Sequence, residues 1–263
     1  MNRNPSRRFF LLSSVITGVG AVLGDNVLAN DLIRRSAPPL ADEKNLTILF
    51  QGDSITDGNR GRNTDPNHIM GHGYAFSIAS RVGADFPASG FNFYNRGISG
   101  NKVSDLQGRW QADALNIKPD VLSILVGIND AALLAGKPSI EPKDFERFES
   151  AYRDILQQSK QLNPAILFVL CLPFVFPNIK SKWELYNRAI LEMSEIVKKL
   201  STEFDAVLVD FPSVFNKAIK VAPVEYWIWD GIHPTVPAHE LLAREWIKQV
   251  SSRLDFLKIY NYK

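Results

Sequence analysis

Ser54 stands in Gly52-Asp53-Ser54-Ile55-Thr56, directly after an apolar run, and Asp230 stands three residues before His233 in Trp229-Asp230-Gly231-Ile232-His233-Pro234. Between them lie two more polar, glycine-bearing segments, Asn95-Arg96-Gly97-Ile98-Ser99-Gly100-Asn101 and Gly127-Ile128-Asn129-Asp130. Acyl transfer requires a nucleophile, a base to take its proton, an acid to fix the base's tautomer, and donors aimed at the developing oxyanion. These segments hold every part. Ser54 would attack, His233 would accept and return the proton, and Asp230 would bond the other imidazole nitrogen. The backbone N–H groups of Ser54 and Gly100 and the side-chain amide of Asn129 would hold the oxyanion. Singly, each is ordinary turn chemistry; as an ordered set they define a reaction that needs no cofactor and no metal.

The elements that must bring these segments together are legible as alternation. Short apolar, β-rich runs at 46–51, 91–95, 120–126, 165–171 and 205–210 alternate with stretches of helical period near 72–84, 103–116, 144–162, 182–203 and 238–253. That pattern predicts parallel βαβ units in one three-layer α/β domain. The third and fourth runs are almost wholly apolar, as central strands covered on both faces are. Trp183, Tyr186, Ile190, Met193, Val197 and Leu200 recur at three- and four-residue spacing, one core-facing stripe. In such sheets ligands sit beyond the carboxyl ends of the strands, which is where the first three polar segments fall.

Composition narrows the classes. The 263 residues are 45% hydrophobic and 22% charged, enough apolar surface for a sizeable core. The lone Cys171 excludes an internal disulfide framework and reads as a small buried hydrophobe. The net charge of +2 comes from residues 1–29, where Arg3, Arg7 and Arg8 outweigh Asp25; the rest is neutral, so no nucleic-acid partner is expected. Those arginines precede an apolar stretch, Phe9 to Leu23, and the small residues around Ala29. This is the grammar of a signal peptide, and Ser6-Arg7-Arg8-Phe9-Phe10-Leu11 resembles the twin-arginine export signal. Export to the periplasm or the outside is expected, with cleavage near Asn30 and no stable membrane anchor after processing. Residues 30–45, with Pro38 and Pro39, read as a linker to a catalytic domain at 46–263.

The blocks Gly52-Asp53-Ser54, Gly100, Gly127-Ile128-Asn129-Asp130 and Asp230-Gly231-Ile232-His233 resemble those of the SGNH subgroup of the GDSL hydrolases over about residues 46–253. The resemblance implies a flavodoxin-like five-stranded parallel sheet in an α/β/α sandwich. It gives the same residues the same roles as the chemical reading above. A narrower resemblance, to bacterial acetylxylan esterases of this family, runs through Gly52 to Asp57, Asn95 to Asn101, Val103 to Trp110, Ile128 to Asp130, Trp229-Asp230 and His233-Pro234. It implies removal of acetyl groups from acetylated oligo- or polysaccharide of the xylan type, through an acetyl-serine, and a homo-oligomer.

Other readings compete. A lipase, lysophospholipase or thioesterase would use the same triad on longer acyl chains, and a carbohydrate-binding module could sit on an inactive hydrolase fold. An aspartyl phosphatase built on Asp53 wants a second acid two residues on, where Ile55 stands. A zinc site from His68, His72, His233 and His239 lacks a carboxylate motif, and Gly71 and Gly73 make the first pair a loop. For substrate binding, Asp53 borders the nucleophile, and Arg60, with Arg62 and Asn63, forms either a sugar-bonding rim or a solvated loop. Trp229 is assigned to the acyl pocket because its neighbour Asp230 must face the site; Trp227 is left between core and pocket.

Overall fold

The computed structural model describes residues 43–179 and 182–262. The expected signal at 1–29 and residues 30–42 of the linker lie outside the described residues. Strands β1 (Thr47–Gly52), β2 (Asn92–Asn95), β3 (Val121–Leu125), β4 (Leu167–Cys171) and β5 (Val207–Val209) form one parallel sheet ordered β2-β1-β3-β4-β5. Thr47 lies opposite Asn92 in the β1–β2 pair, and Ile48 opposite Val121 in the β1–β3 pair. The chain steps one way from β1 to β2, then crosses back to β3. The crevice at that reversal, above the carboxyl ends of β1 and β3, is where this topology places ligands.

The helices are α1 (Ser54–Asp57), α2 (Tyr74–Asp85), α3 (Val103–Gly108), α4 (Trp110–Asp113), α5 (Ile128–Ala135), α6 (Pro142–Leu162), α7 (Trp183–Glu203), α8 (Phe211–Ala218), α9 (Val224–Trp227) and α10 (Val236–Val250), with 3-10 turns at Leu115–Ile117 and Asp255–Tyr260. Because strand side chains alternate, β1 feeds two cores. Ile48 and Phe50 join one with Ile78 of α2, Phe211 and Phe215 of α8, and Trp246 of α10. Leu49 joins the other with Trp110 of α4, Tyr152 of α6, and Met193 and Val197 of α7. Each large apolar side chain so buried contributes roughly 1.5–3 kcal/mol before entropy. The two buried indoles keep their polar edges satisfied: Trp110 Nε1 donates to Ser159 Oγ at 3.0 Å and Trp246 Nε1 to Ser123 Oγ at 2.9 Å. Proline in the first turn of α6, α8 and α10 suits a position whose N–H has no helical partner.

Two expectations are corrected. The single helix read over 103–116 is broken at Arg109 (φ −113°, ψ 9°) and again at Ala114. Gly108, a residue about 1 kcal/mol worse than alanine inside a helix, ends the first piece. Arg109 then turns its guanidinium back toward Asn101. The end of the linker also belongs to the domain, since the Glu43 carboxylate accepts from the backbone N–H groups of Asp255 and Phe256 and Asn45 N–H donates to Ser89 O.

Candidate active site

The turn after β1 is set by crowding. At Gly52 (φ +155°) a Cβ would lie 2.2 Å from the Leu125 carbonyl oxygen of β3 and 2.5 Å from Thr56 Oγ1, so only glycine fits. Asp53 then caps α1, its carboxylate accepting from Ile55 N–H at 3.0 Å. Ser54 is the first residue of that helix, lifted above the strand end. From behind, Thr56 Oγ1 shares a 3.0 Å hydrogen bond with the Tyr74 hydroxyl of α2, pinning the turn to the core.

The opposite wall is a narrow β-bridge between Ile228 and Pro234 that presents the loop 229–233. Thr235 N–H donates to Trp227 O at 2.8 Å, and Phe176 N–H reaches across to Gly231 O at 2.8 Å. Within the loop, Asp230 Oδ1 accepts from the backbone N–H of Ile232 (3.0 Å) and His233 (2.7 Å), and Oδ2 lies 2.7 Å from His233 Nδ1. Burial alone would raise the Asp230 pKa. The His233 and Ile232 hydrogen bonds outweigh it and hold the carboxyl below the usual range. An ionised carboxylate only accepts, so Nδ1 carries the imidazole hydrogen and Nε2 presents a lone pair. That lone pair faces Ser54 Oγ at 3.0 Å. Ser54, His233 and Asp230, expected together from the sequence, thus meet as one hydrogen-bonded chain across 179 residues of sequence.

Gly100 and Asn129, from the segments after β2 and β3, are linked through Asn101. Gly100 (φ +85°) has nothing within 4 Å of where a Cβ would project, so its backbone is open to an incoming group. Asn129, on the first turn of α5, donates one amide hydrogen to Asn101 O at 3.0 Å, which fixes the carboxamide and leaves its other N–H unused by that bond. Asp57, given no role by the sequence reading, organises this side. Its Oδ2 accepts from both N–H and Oγ–H of Ser99 (3.0 and 3.1 Å), and both its oxygens meet the Arg62 guanidinium at 3.0 and 2.7 Å. Burial would raise its pKa, but those bonds and the one from Arg60 N–H hold it low. Its signal in the sequence is only an acid one helical turn past Asp53.

The structure separates the three residues assigned to substrate. Asp53 is 1% exposed and spent as a helix cap, so it cannot meet substrate. Burial, assisted by the nearby Asp130 carboxylate, pushes its pKa up to about 7. Burial lifts Asp130 to about 7 as well, although it accepts from Val103 N–H. Arg60 is half-buried and donates Nε–H to Gly97 O at 2.9 Å, beside the Gly100 loop. Trp229 is 63% exposed, its ring stacked 6.4 Å from the His233 ring at an interplanar angle of 26°. Trp227, by contrast, packs against the core and donates Nε1–H to Ala218 O. The four histidines do not form a ligand set: His68 and His72 are exposed, whereas His239 is buried in α10, its Nδ1 accepting from Tyr74 N–H at 3.1 Å. Among the described residues no group of three or more His, Cys, Asp or Glu side chains is placed to hold a metal ion.

Residues 50–241 match the family model for the GDSL-like lipase/acylhydrolase family. The chain is 31% identical to an acetylxylan esterase of Geobacillus stearothermophilus over 77% of its own length and 93% of that protein's. A structure of that esterase, Axe2, superposes with a TM-score of 0.68 at 29% identity, covering 79% of this chain and 94% of the other. A GDSL-like lipase of Parabacteroides merdae ATCC 43184 superposes with a TM-score of 0.74 at 37% identity, covering 81% and 99%. Three solved catalytic mutants of Axe2 replace a serine, an aspartate and a histidine by alanine, the aspartate three residues before the histidine, and another replaces the tryptophan directly before that aspartate. By sequence match, parallel fold and the placing of its serine, histidine and aspartate, the chain belongs to the GDSL-like lipase/acylhydrolase family and is a carboxylic ester hydrolase.

Proposed function

We propose that the chain is an acetylesterase that removes acetyl groups from acetylated carbohydrate of the xylan type. The observation that carries the reading is the continuous chain Ser54 Oγ, His233 Nε2, His233 Nδ1, Asp230 Oδ2, with links of 3.0 and 2.7 Å. Ser54 Oγ attacks the ester carbonyl carbon as its proton passes to His233 Nε2, and Asp230 steadies the imidazolium. The carbonyl oxygen, now an anion, is met by the N–H groups of Ser54, Gly100 and Asn129. Collapse expels the sugar hydroxyl, which takes the proton back from His233 and leaves acetyl-Ser54. Water attacks that ester by the same route, releasing acetate and restoring the serine. The exposed face of Trp229, beside His233, suits stacking on a sugar ring. Support for the substrate class also comes from the acetylxylan esterase relative, in which a tryptophan likewise precedes the aspartate of its catalytic set.

The test is a pair of measurements. Ser54→Ala should abolish hydrolysis of 4-nitrophenyl acetate while the protein stays folded, and retained turnover would eliminate the nucleophile. Rates on acetyl and octanoyl esters then separate acetylesterase from lipase or thioesterase, since a long acyl pocket rewards each buried methylene by about 0.8 kcal/mol. A strong octanoyl preference would overturn the acetyl assignment. We also propose export by the twin-arginine route on the strength of Arg7-Arg8-Phe9-Phe10-Leu11. Retention in the cytoplasm with Met1 intact would overturn that.

A further inference from the structure

We infer that Arg109, through Asn101, is the residue that positions the oxyanion hole. The inference rests on the esterase reading above and adds a role that neither the triad nor the oxyanion donors themselves supply. Gly100 is held from both flanks. On one, Ser99 is tied to Asp57 by its N–H and its hydroxyl. On the other, Asn101 Oδ1 accepts from Arg109 Nε at 2.8 Å, while Asn101 O receives the Asn129 amide at 3.0 Å. Asn101 therefore sets the Gly100 N–H by chain continuity and the Asn129 N–H by a hydrogen bond. A shift of Asn101 moves both donors together.

Arg109 is well placed to prevent that shift. Its side chain is 16% exposed. Nη1 meets Asp113 Oδ2 at 2.9 Å, and Nη2 points at Gly52 O, 3.5 Å away, in the turn that lifts Ser54. Asp113 is itself held to the sheet, its carbonyl accepting from the fully buried Gln51 of β1 at 2.7 Å. One planar guanidinium thus spans the donor loop, the α4 helix and the end of β1. Arg109 makes these contacts from the break between α3 and α4, where its backbone leaves the helix (φ −113°, ψ 9°). Lysine, with a single point of charge, cannot reproduce that fork. Donors fixed before the reaction cost no reorganisation as the oxyanion forms, which is where their catalytic effect originates.

The test uses the whole protein with 4-nitrophenyl acetate. Arg109→Ala should lower kcat by roughly 10- to 100-fold, part of the loss that follows removal of an oxyanion donor, with KM within about twofold of wild type. Arg109→Lys should stay low, and added guanidinium ion should restore part of kcat in Arg109→Ala. Asn101→Ala, which removes only the Oδ1 link, should fall comparably, and the double variant should be no worse than the poorer single one. A wild-type kcat in folded Arg109→Ala, or multiplying losses in the double variant, would overturn the inference. Should Arg109→Ala fail to fold, a wild-type kcat in Asn101→Ala overturns it equally. Ser54→Ala and Asn129→Ala assayed alongside separate the two readings: turnover retained in those variants defeats the esterase site itself, whereas their loss with Arg109→Ala intact defeats only the positioning role.

Discussion

Replacing His239 by glutamine should remove a pH dependence that can be sized in advance. Burial, with His72 and His233 nearby, depresses the His239 pKa to about 4 from an ordinary 6.5. Its Nδ1 accepts the N–H of Tyr74, the first residue of α2. Protonation would set a donor against a donor and add positive charge at the positive end of a helix. The folded pKa is the lower one, so the unfolded chain binds the extra proton first. The stabilisation is therefore present above pH 6.5 and is lost as pH falls toward 4. At about 1.4 kcal/mol per unit, the loss is about 2 kcal/mol between pH 7 and 5 and about 3 kcal/mol by pH 4. Asp53 and Asp130, raised to about 7, act in the opposite direction: folded, they keep protons that the unfolded chain releases, so their stabilisation is lost as pH rises. The wild-type curve alone would mix these effects. His239→Gln retains an acceptor oxygen and does not titrate, so subtracting its urea-unfolding curve from that of wild type isolates the imidazole. The stability advantage of wild type should shrink by about 2 kcal/mol from pH 7 to 5, roughly 1 M in urea midpoint. An advantage that stays constant to within about 0.5 kcal/mol over that range would refute the reasoning.

Gly52→Ala places a methyl 2.2 Å from the Leu125 carbonyl oxygen and should destabilise by at least about 3 kcal/mol in thermal or urea unfolding, or fail to fold; an alanine variant of wild-type stability would contradict the packing of that turn. Trp229→Ala should raise KM several-fold for acetylated xylo-oligosaccharides while leaving kcat on 4-nitrophenyl acetate within about threefold, since it removes the exposed indole proposed to stack on sugar and no proton carrier. Equal losses on both substrates would place Trp229 in the chemistry instead. Asp230→Asn should lower kcat by about 10⁴, because an amide at Oδ2 invites the wrong imidazole tautomer. A loss under tenfold would remove Asp230 from the triad.

Sequence legibility followed periodicity. The five strands were readable as short apolar runs, and the long helices α6 and α7 because their burial repeats over many residues; Ile190, Met193, Val197 and Leu200 are indeed buried on one face. The short helices α1, α5, α8 and α9 offer too few turns for a period to register, and one glycine was enough to split 103–116. At the site, the meeting of Ser54, Asp230 and His233 was legible because each stands in a short segment with its own chemistry. Asp53 was misassigned because adjacency to a serine does not reveal which way a carboxylate points; capping turned it inward. The bonds that join Asp57 to Ser99, Arg109 to Asn101 and His239 to Tyr74 link residues 42, 8 and 165 apart, and nothing local in the chain announces them.

The 179-residue separation between Ser54 and its histidine has a consequence during synthesis. A growing chain makes its nucleophile early and both its proton handlers near the end. Until residue 233 has left the ribosome and the bridge from Ile228 to Pro234 has closed, Ser54 is an ordinary alcohol. The hydrogen-bonded chain is thus incomplete in every nascent product that ends before His233.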